Sequence, residues 1–324
     1  MLAVNSDCRL RRAPLAAGYA DVGQIIMNDN KRKMTKNAIE FFMGEVVTHY
    51  APILETICLQ VTNAQYSFRQ RDDVLQADAS EALKIYWSEI LFRCHWAAAT
   101  NALRHKRWLD GCALAYLNDN PNFLAFAAAF RGMVEAAGDA YYSLRQVPLA
   151  LARNFQVISA ALDGFKQEAL IISKELEDAL IHFQFARKLT KNEKDFYPIT
   201  HQSKLLTDYV NALDEGSTKH CQDLYAELCQ LVHPASQSMM WFAEGNNNGL
   251  SLTPGDDREW IRDLCLRNKS AIEHIQAKSL NTTIMILKIL NRFSLTQLYT
   301  ACVDDLCMDA IPQWREIDAK FASR

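Results

Sequence analysis

Apolar residues recur at intervals of three and four positions over most of this chain, the spacing that places side chains on one face of an α-helix. The pattern extends from Ile39 to Tyr299, and few glycines and prolines interrupt it. Alternating β-branched residues bounded by turn residues, which indicate strands, do not occur. The sequence therefore predicts an all-α fold, an irregular multi-helix bundle without a sheet of three or more strands.

Turn-forming and capping residues set the expected helix boundaries. A first stripe runs from Ile39 to Tyr50, and Pro52 marks a kink or restart before a second helix that continues toward Gln65. Ser80 is the expected N-cap of a long helix ending near Leu117. The remaining boundaries predict a helix with Pro121 in its first turn, a short segment from Pro148, helices at 202–214, 218–232, 256–292 and 295–309, and an amphipathic tail after Pro312.

Two further segments suggest how these helices are organised. The segment 167–189 is apolar on nearly all sides, which predicts a helix at the centre of the bundle. The segment 244–256 is rich in asparagine and glycine, and it is the expected long loop and domain boundary. We therefore expect a partly ordered arm at 1–35, a main helical bundle at 36–243, and C-terminal helices at 256–324 packed on the same core.

Composition and missing motifs exclude several classes of protein. Hydrophobic residues make up 49% of the chain, and the net charge of -3 provides no general attraction for nucleic acid. The nine cysteines include no CxxC pair, so we expect small buried thiols in a reducing cytoplasm and no zinc site. Phosphate-binding glycine loops, HExxH, GxSxG and Glu-x-x-His motifs are absent. We therefore predict no metal, cofactor or membrane span, and leave open whether the protein is an enzyme.

Arg131 and Glu135 are the first candidate site residues. They lie one helical turn apart in an alanine-rich apolar segment, with Asp139 a further turn on. One interpretation is an ordinary ion pair at the edge of the apolar stripe. The other is an anion-binding arginine oriented by its carboxylate.

Glu175, Asp178 and His182 form the second constellation, on one stripe of the helix expected to be most buried. Because charged groups are rarely buried without partners, a carboxylate that orients a histidine for catalysis or metal binding is one interpretation. A buried polar network including Lys174 or Arg187 is the alternative. Of the four residues Glu175, Asp178, His182 and His233, we expect at least two to be substantially buried and hydrogen-bonded.

His233 is the third candidate, at the end of a helix and directly before Pro234. A helix C-terminus favours a protonated imidazole, which would suit either acid-base chemistry or simple capping. Both interpretations remain open from the sequence.

These short patterns carry a family resemblance over residues 80–242. The chain resembles bacterial all-helical families linked to the HEPN superfamily in the motifs Arg131-x-x-x-Glu135 and Tyr225-x-x-Leu228-x-x-x-Val232-His233-Pro234. The resemblance implies a helical bundle, often dimeric, frequently encoded with phage-defence or toxin-antitoxin systems and in some members a metal-independent ribonuclease. The HEPN signature, an arginine and a histidine with four to six residues between them, has one match here, at Arg267 and His274, which are seven positions apart and which we expect to share a helix face.

Three functional hypotheses follow. The leading one is a cytoplasmic binding or regulatory protein of a defence system, forming a homodimer or binding a partner protein, RNA or a nucleotide. Its expected ligand-binding residues are Arg131, Glu135, Asp178, His182, Tyr225 and His233. The second is a HEPN-type ribonuclease using Arg267 with His274, or Arg131 with His233. The third is a structural scaffold without a ligand site. Because carboxylates offset the positive charges near Arg267, we expect little ribonuclease activity.

Overall fold

A computed structural model describes residues 50–165, 171–216, 220–233, 236–246, 249–253 and 255–322. The expected arm at 1–35 and most of the first expected helix lie outside these ranges. The described part of the chain is predominantly helical, and its only sheet has two strands, which confirms the all-α prediction.

The helices follow one another with short connections. Their bounds are α1 Tyr50–Val61, α2 Arg71–Gln76, α3 Ala79–Leu117, α4 Phe123–Leu144, α5 Val147–Arg153, α6 Phe155–Leu162, α7 Lys174–Phe185, α8 Leu206–Asp214, α9 Cys221–Val232, α10 Ser236–Met240, α11 Asp257–Arg267, α12 Lys269–Leu290 and α13 Pro312–Ala322. Strands β1 Ala243–Asn246 and β2 Gly249–Leu252 pair as an antiparallel hairpin between α10 and α11.

Side-chain caps place the two longest N-terminal helices slightly differently from the sequence prediction. Asp78, not Ser80, caps α3, because its carboxylate accepts the backbone N–H of Glu81 at 2.9 Å. Asn122 caps α4 in the same way, through the N–H of Ala125 at 2.8 Å. Pro121 therefore precedes α4 and is not in its first turn.

Helix α4 lies at the centre of the core. It packs against α3, α8, α9 and α12, and its buried face includes Phe126, Phe130 and Val134. At Gly138 the backbone of α8 comes so close that an added Cβ would lie 2.8 Å from the carbonyl oxygen of Tyr209. α4 therefore fixes the positions of the helices around it.

The helix expected at the centre of the bundle is shorter and more peripheral than predicted. Residues 167–170 of the expected helix lie outside the described ranges; in the rest, the helix spans Lys174–Phe185 with Leu176 and Leu180 buried, while Ile171 and Ile172 before it are exposed. The hydroxyl of Ser173 accepts the N–H of Leu176, so the helix begins there. Its apolar residues form one stripe, and the prediction of an all-round buried helix is wrong.

The C-terminal third also departs from the prediction at three places. The helix expected at 256–292 divides at Asn268, whose side chain donates to the carbonyl of Leu264 at 3.0 Å. The stretch 295–309 contains only short 3₁₀ turns, because Asn291 bonds both backbone groups of Thr300. The expected loop 244–256 contains the β-hairpin, whereas the tail α13 confirms the prediction.

Buried apolar side chains from α1 to α13 form one continuous cluster. In it α12 packs on α3 and α4, and α13 packs on α5. The division into domains at 243 and 256 stays a prediction. Five of the eight described cysteines are buried, as expected of small apolar side chains, and all eight carry free thiols. Within the described ranges no helix is long and apolar enough to cross a membrane.

Candidate functional site

Four of the predicted site residues meet where α9 crosses α4. We call Arg131, Glu135, Tyr225 and His233 the Arg131 cluster. The guanidinium of Arg131 donates from Nε to Glu135 at 2.8 Å, confirming the predicted ion pair, and its Nη1 lies 2.9 Å from Nε2 of His233. The Tyr225 hydroxyl donates to the same Glu135 oxygen at 3.0 Å. The carboxylate thus holds both the arginine and the tyrosine in place.

Burial and the neighbouring groups shift the pKa values of Arg131 and Tyr225. Burial lowers the pKa of Arg131, but the Glu135 carboxylate, with smaller contributions from Cys229 and Tyr225, outweighs it and raises the pKa above its ordinary value. Burial, together with hydrogen bonds to Cys229 and Glu135, raises the pKa of Tyr225 well above its usual range. At neutral pH the guanidinium is therefore charged, and the phenol keeps its proton as a donor.

The hydrogen bond to Arg131 fixes the state of His233. A guanidinium has no acceptor, so Nε2 of His233 must accept and the proton of the neutral ring lies on Nδ1. His233 does sit at the C-cap, where its backbone N–H donates to Cys229 at 3.0 Å. Its side chain is exposed, so an incoming group can reach it.

His182 lies elsewhere and has a different role. Its Nδ1 donates to the carbonyl of Thr200 and its Nε2 accepts from the hydroxyl of Tyr209, both at 3.0 Å. Its ring also packs on Tyr142, which lies about 16 Å along α4 from Arg131 at 1.5 Å per residue. His182 therefore ties the 186–205 connection to α4 and α8, and does not join the Arg131 cluster.

The carboxylates predicted to act with His182 do not do so. Glu175 is exposed and Asp178 is half-buried, and neither is among the hydrogen-bond partners of the Arg131 cluster. Arg187 pairs with Glu193 at 2.6 Å instead of contributing to a network on α7. Only His182 is both shielded from solvent and hydrogen-bonded, so the expectation of at least two such residues is wrong.

Arg267 and His274 are not a catalytic pair in this structure. Arg267 is the last residue of α11, and His274 lies on α12 after the break at Asn268. The predicted shared helix face is therefore wrong. Arg267 donates to Asp263 at 2.8 Å and to Glu227 at 3.1 Å; burial lowers its pKa, but these carboxylates raise it overall. His274 donates from Nε2 to the carbonyl of Leu213 at 2.8 Å. Both side chains are thus occupied by separate structural contacts.

A buried row of polar residues between α3 and α12 was not predicted from the sequence. This polar ladder consists of Asn101, His105, Gln276, Ser279 and Thr283. Asn101 donates to Thr283 at 2.8 Å, and His105 donates from Nε2 to the Gln276 carbonyl. Burial lowers the pKa of His105 to about 4, and Gln276 only partly opposes the shift. The i,i+4 spacing of Asn101 and His105 within an apolar helix was the available signal.

The part of the chain that the structure describes contains no group of three or more His, Cys, Asp or Glu side chains placed to hold a metal ion. Comparison with protein-family models, curated proteins and solved structures found no match. The candidate site is therefore argued from its own chemistry, which centres on a half-buried arginine in contact with an exposed histidine.

Proposed function

We propose that this protein is a helical binding and regulatory protein that recognises a phosphate-bearing ligand at the Arg131 cluster. The observation that carries the proposal is the 2.9 Å contact between Arg131 and the exposed ring of His233. Glu135 and Tyr225 hold the arginine in place from behind. A guanidinium fixed before the ligand arrives binds an anion with less loss of side-chain entropy than a mobile one.

Charge balance indicates how a phosphate would bind. Without a ligand the charges of Arg131 and Glu135 cancel. A phosphate that replaces His233 as the acceptor of the Arg131 hydrogen bond accepts from the guanidinium, and the N–H at Nδ1 of the imidazole is a second donor. Binding then pairs the anion with one charged donor and one neutral donor.

The test is calorimetric titration with inorganic phosphate and with a nucleoside monophosphate. We expect saturable binding of both ligands. Arg131→Gln should lose at least about tenfold in affinity, the range of one charge-assisted contact. Arg267→Gln is the matched control, since it removes another arginine held by carboxylates and should change nothing. Equal binding by both variants would refute the proposal.

A second function, metal-independent ribonuclease, is supported by the same contact. Arg131 and His233 are close enough for a cation and an acid-base group to act on one phosphodiester, unlike Arg267 and His274. Glu135 already offsets the arginine's charge, so we expect little cleavage. Incubating the protein with total RNA and EDTA, beside Arg131→Gln and His233→Ala, tests this. Cleavage lost in both variants would place catalysis first.

We also propose the cellular compartment, the biological system and the oligomeric form in which the protein acts. The free thiols support a reducing compartment such as the cytoplasm. The motif resemblance supports a phage-defence or toxin-antitoxin role with a homodimeric or partner-bound form, which sedimentation analysis would test. A scaffold without a ligand site is the remaining alternative, and it predicts that Arg131→Gln alters stability alone.

A further inference from the structure

An open cavity lies between α10, the β-hairpin and α11, and none of the residues that line it belongs to the Arg131 cluster. Its volume is about 330 Å³, and its walls are Met240, Trp241, Ala243, Glu244, Thr253 and Trp260. This volume falls at the lower end of the range of roughly 300–1,000 Å³ for small-molecule sites. The cavity is thus large enough for a small ligand group.

Two tryptophans line the cavity at a steep angle to each other. The ring centroids of Trp241 and Trp260 are 5.0 Å apart with an interplanar angle of 62°. Phe123 packs behind both, at 4.9 Å from Trp241 and 5.7 Å from Trp260. Both indoles line the cavity, and the face of an indole ring attracts cations.

The surrounding chain holds these rings in position. Gly255 adopts a φ of +71°, and a Cβ at this residue would lie 1.8 Å from the ring of Trp260, so the backbone lies directly against the indole. The backbone N–H of Phe123 donates to Asp257 at 2.8 Å, which joins the start of α4 to α11. The aromatic walls are therefore fixed before any ligand binds.

Glu244 is the charged residue among those that line the cavity. Glu244 is exposed on the cavity wall and forms no ion pair with any described residue. No lysine or arginine of the described chain lies over Trp241 or Trp260, although several other aromatic rings carry one, such as Arg93 over Phe68 at 4.6 Å. The cavity therefore combines two cation-attracting rings with a free carboxylate.

We propose that this cavity binds a methylated ammonium group, such as a quaternary amine. A primary ammonium is strongly hydrated and would lose several hydrogen bonds on entering an aromatic site, whereas methyl groups spread the charge and fill the apolar walls. The carboxylate of Glu244 then provides long-range attraction at the rim. This site is independent of the function proposed for the Arg131 cluster.

The test uses choline and its neutral carbon isostere, 3,3-dimethylbutan-1-ol, with the full chain and ligand-observed NMR. We expect choline to bind at least about tenfold more tightly than the isostere, since the two differ only in charge. Glu244→Gln should weaken choline binding about fivefold, and Trp241→Phe should weaken it further. The matched control Trp96→Phe changes an exposed tryptophan on α3 and should leave binding unchanged.

A pair of peptides distinguishes the source of the ligand, one with trimethyllysine and one with unmodified lysine. Choline binding alone assigns a small solute, and preferential binding of the methylated peptide assigns a modified protein; either supports the site. Equal binding of choline and the isostere would show an apolar cavity without cation recognition. That result, or an absence of binding by choline and by the methylated peptide at millimolar concentration, overturns the proposal.

Discussion

Two buried histidines should make the stability of this protein depend on pH between 7 and 5. Burial lowers the pKa of His95 and of His105 to about 4, from an ordinary value of 6.5. The unfolded chain therefore binds more protons than the folded one across this interval. Their stabilising effect is complete above about pH 6.5 and is lost as the pH falls toward about 4.

The expected size follows from these values. Between pH 7 and pH 5 each histidine accounts for about 2 kcal/mol of lost stability, at 1.36 kcal/mol per pKa unit. Together they remove about 4 kcal/mol from a total that is usually roughly 5–15 kcal/mol. Aspartates and glutamates with ordinary pKa values stay ionised at pH 5, so the interval mainly reports on the histidines.

Urea denaturation at pH 7, 6 and 5 measures this dependence. His105→Gln keeps a hydrogen-bonding side chain but cannot titrate, so its pH-dependent loss should fall to about half that of the wild type. His95→Gln provides an independent second variant. Asn101→Ala is the control, because it breaks the polar ladder without removing a titratable group and should lower stability equally at every pH. Parallel profiles for the wild type and both histidine variants would refute the reasoning.

Three further outcomes follow from the contacts described. Gly138→Ala should destabilise the protein by about 1–3 kcal/mol in thermal or urea unfolding, because the added Cβ meets the Tyr209 backbone at 2.8 Å. Gly111→Ala, whose Cβ would lie 3.4 Å from a neighbouring methyl group, should be neutral or stabilising, and equal losses would contradict the packing argument. Phosphate affinity measured by calorimetry should fall at least about tenfold in Arg131→Gln and stay unchanged in Arg267→Gln. Purified protein should leave total RNA largely intact in EDTA, and rapid cleavage that depends on Arg131 would reverse the ranking of the two functions.

Local patterns predicted the helical fold well where periodicity and caps agreed. The Leu117 end of α3 and the start of the tail at Pro312 were placed correctly, because turn residues and proline act through neighbouring backbone atoms. The start of α7 was misplaced since composition alone cannot show that Ser173 accepts the first N–H groups of the helix. The 3₁₀ turns near Thr300 depend on Asn291, a contact between different elements that periodicity does not encode.

In the candidate site, too, contacts within one helix were predicted more successfully than contacts between elements. Arg131 and Glu135 were predicted to pair because they are one turn apart on a single helix. Bringing His233 to Arg131 requires α9 to cross α4, and only the motif resemblance had linked these segments. His182 was predicted to lie beside them because it falls on an apolar helix. Its hydrogen-bond partners are instead Thr200 and Tyr209, which belong to later elements of the chain. Buried partnerships across elements depend on packing, which the sequence alone does not reveal.

Because the cysteines of this protein differ in exposure, thiol labelling can report how often its core opens. Cys307 is exposed, whereas Cys94 and Cys112 are fully enclosed in the core with their pKa values raised by burial. A maleimide or disulfide reagent should modify the exposed Cys307 first, but it can reach the enclosed pair only when α3 separates from its neighbours. The labelling rate at Cys94 and Cys112 therefore measures how often the centre of the bundle opens under native conditions, without denaturant or an added reporter group.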